Sequence, residues 1–70
     1  MTLERHLVDD AALEQLRADA RHRRERADLY RAKEYGGRPT RPGRLRELER
    51  EAQRAEERLA HALSERARGR

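Results

Sequence analysis

Both prolines and three of the four glycines of this chain fall between Gly36 and Gly43, and the long stretches on either side, 1–35 and 44–68, contain neither residue. Glycine and proline are the residues that a helix interior tolerates least, so the chain is punctuated once, near its middle. That single interruption, within "YGGRPTRPGR", predicts two long helices joined by one short reversal. Two helices of about 26 residues, each near 39 Å by the helical rise, most simply form an antiparallel αα-hairpin.

The first helix is expected over about 10–35. Leu13, Leu16, Ala20, Arg23, Ala27, Tyr30 and Glu34 recur by threes and fours, which makes a heptad seam with two charged interruptions. Asp9 suits the N-cap and Asp10 the first turn, while Val8 and Leu13 fit a hydrophobic staple. Arg31 and Lys33 oppose the negative end of the helix dipole, and Gly36 is expected to take the left-handed position after the last turn.

The second helix is expected over about 42–67, opened by Pro42 at the first helical position, where a missing N–H costs nothing. Its seam is Leu45, Leu48, Ala52, Ala55, Leu59 and Ala62, widened at the far end by Leu63. Folding the chain about residue 39 or 40 sets Leu16 opposite Leu63, Ala20 opposite Leu59, Ala27 opposite Ala52 and Tyr30 opposite Leu48. Arg23 then faces Ala55 and Glu56, so Glu56 is its expected partner. Pairs at helical spacing are expected along the exposed faces: Asp19 with Arg23, Arg21 with Glu25, Arg24 with Asp28, Glu47 with Arg50, Glu51 with Arg54, and Glu57 with His61.

Seventy residues make a single domain near the size at which one core rarely suffices, and the apolar content here is thin. The fold expected is therefore all-α, a coiled-coil-like hairpin that gains apolar contact by pairing into a four-helix bundle or by docking on a protein partner. Leu13, Leu16, Tyr30, Leu45, Leu48, Leu59 and Leu63 are the candidate interface. Residues 2–8, "TLERHLV", read either as a short helix capped by Thr2 that covers the open end of the hairpin or as a flexible arm; 68–70 form a tail.

Several function classes are disfavoured. There is no cysteine, which excludes disulfides and suits a reducing compartment, so the expected location is cytoplasmic. His6, His22 and His61 stand alone, away from any ligand spacing, so neither a metal nor another cofactor is expected. The longest apolar run is Ala11 to Leu13, far short of a membrane span. Two long helices offer no cavity to desolvate a nucleophile, and Glu56 and Glu57 point about 100° apart on a helix, so they form no dyad. An enzyme with a small-molecule substrate is not expected.

Charge is placed unevenly. Residues 1–20 hold two basic and five acidic side chains (net −3), 21–46 ten and three (net +7), and 47–70 six and six (net 0). Seventeen arginines against one lysine, with eleven alanines, match a GC-rich coding sequence, which accounts for arginine abundance without a ligand. The cluster "RHRRER" (Arg21 to Arg26) is interleaved with carboxylates and reads as a self-paired, solvated face. Arg38, Arg41, Arg44 and Arg46 differ, because no acidic residue lies between Glu34 and Glu47. With Arg21 and Arg24 they are the candidate contacts for phosphate or nucleic acid, beside the positive end of the second helix. Pro39, Pro42 and Arg44 also fit a short PxxPxR pattern, and the absence of GK[ST] rules out a Walker loop. The leading expectation is a non-enzymatic interaction or assembly module; the alternative is a nucleic-acid- or ribosome-associated protein using the basic tip.

Overall fold

The computed structural model describes residues 9–69, which form two helices, α1 (Asp10–Tyr35) and α2 (Arg44–Arg68), packed against each other as a helical hairpin. The expected all-α hairpin is the observed architecture. It is a rod about 55 Å long and 16 Å across. Residues 2–8, Val8 of the staple among them, and Arg70 of the tail lie outside the described residues.

The N-terminus of α1 forms as expected. The Asp9 side chain accepts a hydrogen bond from the Ala12 N–H at 2.7 Å, which satisfies one of the orphan donors of the first turn. The other end differs from expectation by one residue. Gly36 keeps an ordinary φ of −82°, and it is Gly37 that turns left-handed, at φ +80°. The Gly37 N–H donates to the Glu34 carbonyl and the Arg38 N–H to the Lys33 carbonyl, both at 3.2 Å. That pair of bonds is a Schellman motif, and it places its left-handed residue one step beyond the helix cap.

Pro42 does not open α2. It occupies the second position of a turn in which the Arg44 N–H donates to the Arg41 carbonyl at 3.2 Å, and Gly43 follows at φ +80°, ψ −10°. Proline followed by a positive-φ glycine is the signature of a type II turn, and this turn takes up both residues before the helix begins at Arg44. Gly43 caps α2 without a side-chain hydrogen bond.

The core is a narrow seam between the helices. Leu13, Ala20 and Ala27 from α1 meet Leu48, Ala52, Ala55 and Ala62 from α2 in the buried layer. Five of these seven are alanines, so the two backbones approach closely and little side-chain volume is enclosed. Leu16, Tyr30, Leu45 and Leu59 flank the seam half-buried, and Leu63 is 38% exposed.

Ion pairs clamp both flanks and fix the register. Arg24 reaches Glu56 and Arg31 reaches Glu49 on one flank, each within one residue of the alignment the seam implies. Arg23 bonds Asp19 at 2.9 Å and Glu51 at 3.3 Å on the other flank, where Arg58 also reaches Asp19. Arg66 reaches Asp10 near the open end. The expected Arg23 to Glu56 pairing is thereby overturned: the two residues emerge on opposite sides of the seam, and the neighbouring Arg24 takes Glu56. Of the pairs expected within one helix, Asp19 with Arg23 forms. Arg24, Glu47 and Glu51 choose other partners, and His61 lies 3.8 Å from Glu65 rather than beside Glu57. Cross-helix carboxylates compete successfully for arginines whose stems already lie over the seam.

Candidate functional site

The apolar candidates divide in two. Leu13 and Leu48 are buried within the hairpin's own seam, at 2% and 4% exposure, so they hold the helices together. Leu45, Leu59 and Leu63 keep part of their surface open along one flank of α2. That flank is a stripe, because Leu45, Glu49, Ala52, Glu56, Leu59 and Leu63 succeed one another by steps of four and three. Glu49 and Glu56 interrupt it, but each is bonded to an α1 arginine. Leu16 and Tyr30 flank the seam on α1, both half-buried.

The basic candidates also divide. Arg24 donates through Nε and Nη2 to both oxygens of Glu56 at 3.0 Å, a bidentate pair. This hydrogen bonding, more than the accompanying attraction between charges, holds the Glu56 carboxyl below its usual range and the Arg24 guanidinium above its own. Hydrogen bonding from Arg23, with Arg58 adding to it, likewise lowers Asp19. Arg21 is exposed and has no ion-pair partner among the described residues, Glu25 included.

At the tip, Arg44 donates to Glu47 at 3.1 Å, one turn along α2, so it is not the unpaired cation its sequence neighbourhood implies. Arg38, Arg41 and Arg46 do lack a carboxylate partner among the described residues, and all three are exposed. The Arg41 backbone is tied down instead, its N–H donating to the Tyr30 hydroxyl at 2.7 Å. Lys33 stands over the Tyr30 ring, 5.4 Å from its centre.

These residues frame an open groove of about 450 Å³ on one side of the tip, lined by Arg26, Leu29, Tyr30, Lys33, Arg38, Arg44 and Leu48. Sequence reasoning identified Arg38 and Arg44 as ligand contacts and included the Arg21 to Arg26 face, but named Arg21 and Arg24 from it rather than Arg26, and it missed Lys33. Arg26 belongs to a cluster that looks self-neutralised in sequence. Its seven-residue offset from Lys33 is the signal that both share a helix face. Leu29, 71% exposed between them at steps of three and four, lies off the seam pattern and escapes a search for core positions.

No group of three or more metal-ligating side chains converges among the described residues, and no helix there is long and apolar enough to cross a membrane. Comparison with protein-family models, curated proteins and solved structures finds no significant match to this chain.

Proposed function

We propose that this protein is a small non-enzymatic assembly module, a helical hairpin that pairs with a second copy of itself through the Leu45, Leu59 and Leu63 flank of α2. The observation that carries this reading is the fate of the leucines. Of the seven described, only Leu13 and Leu48 are buried within one chain. A rod this narrow encloses mostly alanine methyl groups, and small chains commonly make good such a deficit by association.

Charge on the same flank supports a like partner. Glu49 and Glu56 are already neutralised by Arg31 and Arg24, so an approaching apolar face meets no unpaired carboxylate there. Two hairpins packed antiparallel, with a two-fold axis beside Ala52, set the Leu45 end of one against the Leu59 and Leu63 end of the other. The product is a four-helix bundle.

Sedimentation equilibrium across micromolar concentrations tests the reading. The expected mass is twice the 8.3 kDa of one chain, falling to one chain for Leu59→Glu with Leu63→Glu while helical circular dichroism persists. A fully helical monomer at every concentration would overturn it.

A further inference from the structure

The groove at the hairpin tip gathers four cations, only one of which has a carboxylate partner among the described residues. Arg26, Lys33, Arg38 and Arg44 line it, and no carboxylate does. Glu47 offsets Arg44 alone. The backbone itself forces part of this crowding. In a Schellman motif the residue three before the cap and the second residue beyond it commonly make an apolar contact, and here those positions are Lys33 and Arg38. Two cations thus occupy the places where a turn of this kind favours two apolar side chains. Their mutual repulsion is relieved only by solvent, salt or a bound anion.

The rest of the groove's lining is apolar: the half-buried Tyr30 ring and the buried Leu48 form its floor, and Leu29, 71% exposed, stands at its edge. The Tyr30 hydroxyl is bonded to the Arg41 backbone, and Lys33 covers the ring, so the tyrosine is held in place. A cationic rim over an apolar and aromatic floor matches a ligand that alternates anionic groups with flat apolar ones. Single-stranded nucleic acid has that chemistry, with phosphates for the arginines and lysine and base faces for the floor. An extended acidic polypeptide supplies the charge but has no flat surface at each step. The groove is also wide open to solvent, which admits a strand running through it.

We propose that the tip groove binds single-stranded nucleic acid, its phosphates paired with Arg26, Lys33, Arg38 and Arg44 and a base packed on the exposed Leu29 side chain beside the Lys33-covered Tyr30 ring. The site lies at the tip and on the other flank from the Leu45, Leu59 and Leu63 stripe, so it operates whether or not the hairpin pairs with a second copy.

Fluorescence anisotropy of a labelled oligothymidylate against the full chain tests this, with salt as the second variable. Four phosphate contacts give a slope of about −2.8 in log K against log salt, an affinity loss of roughly 50-fold between 50 and 200 mM. Arg26→Gln with Arg38→Gln removes two exposed cations that hold no ion pair among the described residues, and the slope should fall to about −1.4. Arg26→Lys with Arg38→Lys should keep the original slope, as should Arg50→Gln with Arg54→Gln on α2 away from the groove. Circular dichroism of each variant verifies that the hairpin is intact. Absence of binding at 50 mM salt, an unchanged slope in the Arg26 and Arg38 glutamine variant, or an equal loss in the Arg50 and Arg54 variant would each overturn the proposal. So would tighter binding of a polyglutamate peptide of the same charge.

Discussion

Arg24 and Glu56 meet end-on across the seam, two guanidinium nitrogens on two carboxylate oxygens at 3.0 Å. No other ion pair described in the hairpin has this two-bond form, and it joins the helices near the centre of the rod. Two parallel bonds make this pair directional, which a single bond is not. Both side chains remain more than a third exposed, so solvent screens the attraction.

The expected coupling is accordingly modest. A double-mutant cycle with Arg24→Ala and Glu56→Ala should return about 0.5–1 kcal/mol, the upper part of the range for exposed pairs. Arg24→Lys should recover less than half of it, because an ammonium cannot make two parallel bonds to one carboxylate. Urea denaturation of the four proteins measures both quantities.

Ala27 and Ala52 are both wholly buried in the seam, one from each helix. Ala27→Leu adds three carbons where there is no space, and the helices must part. About 1–3 kcal/mol of destabilisation is expected, or some 4 °C or more in Tm for a chain of this size. An unchanged Tm would mean the helices can separate without loss, which the cross-helix ion pairs oppose.

The burial of these alanines was legible in the sequence, because alternation by threes and fours places them on the seam of each helix. The turn itself was legible in outline only. Glycine and proline announce a reversal, but whether Gly36 or Gly37 goes left-handed depends on which two carbonyls the following N–H groups reach. Pro42 has two favourable roles, first residue of a helix or second of a type II turn, and Gly43 behind it decides for the turn. Ion pairs were the least legible. Spacing within a helix identifies partners one turn away, whereas Arg24, Arg31 and Arg23 found carboxylates on the other helix. The groove escaped for the same reason, since Arg26 and Lys33 join Arg44 only after the chain folds back.

Acid should loosen the hairpin through the same clamps. Asp19 and Glu56 both titrate below their ordinary values of 3.8 and 4.5 in the folded chain, because arginine hydrogen bonds favour the charged forms. A group whose folded pKa is depressed contributes stability that is fully present above its unfolded pKa and is lost as pH falls through the folded one. Stability should thus hold level down to about pH 5 and decline below about 4.5, first through Glu56 and then through Asp19. Glu56→Gln should remove the earlier part of that decline. Thermal melts from pH 7 to pH 2 in constant salt follow it, and a curve that is flat below pH 4 would show that these pairs give the fold nothing.

Tyr30 links the seam to the loop. Its ring lies half-buried beside Leu48, and its hydroxyl accepts the Arg41 N–H at 2.7 Å, so one side chain sets the height of the loop above the helices. Tyr30→Phe keeps the ring and deletes the acceptor, leaving an exposed amide that water can satisfy. The cost in global stability should be at most about 1 kcal/mol. Locally the change should be larger, because among the described residues this bond is the loop's tie to α1 beyond the Schellman turn. The Arg41 amide is expected to lose its protection from hydrogen exchange, while Ala27 and Ala52 amides in the helices keep theirs. If the Arg41 amide exchanges equally fast in the unaltered chain, the hydroxyl does not anchor the loop, and the floor of the tip groove is held by packing of the ring alone.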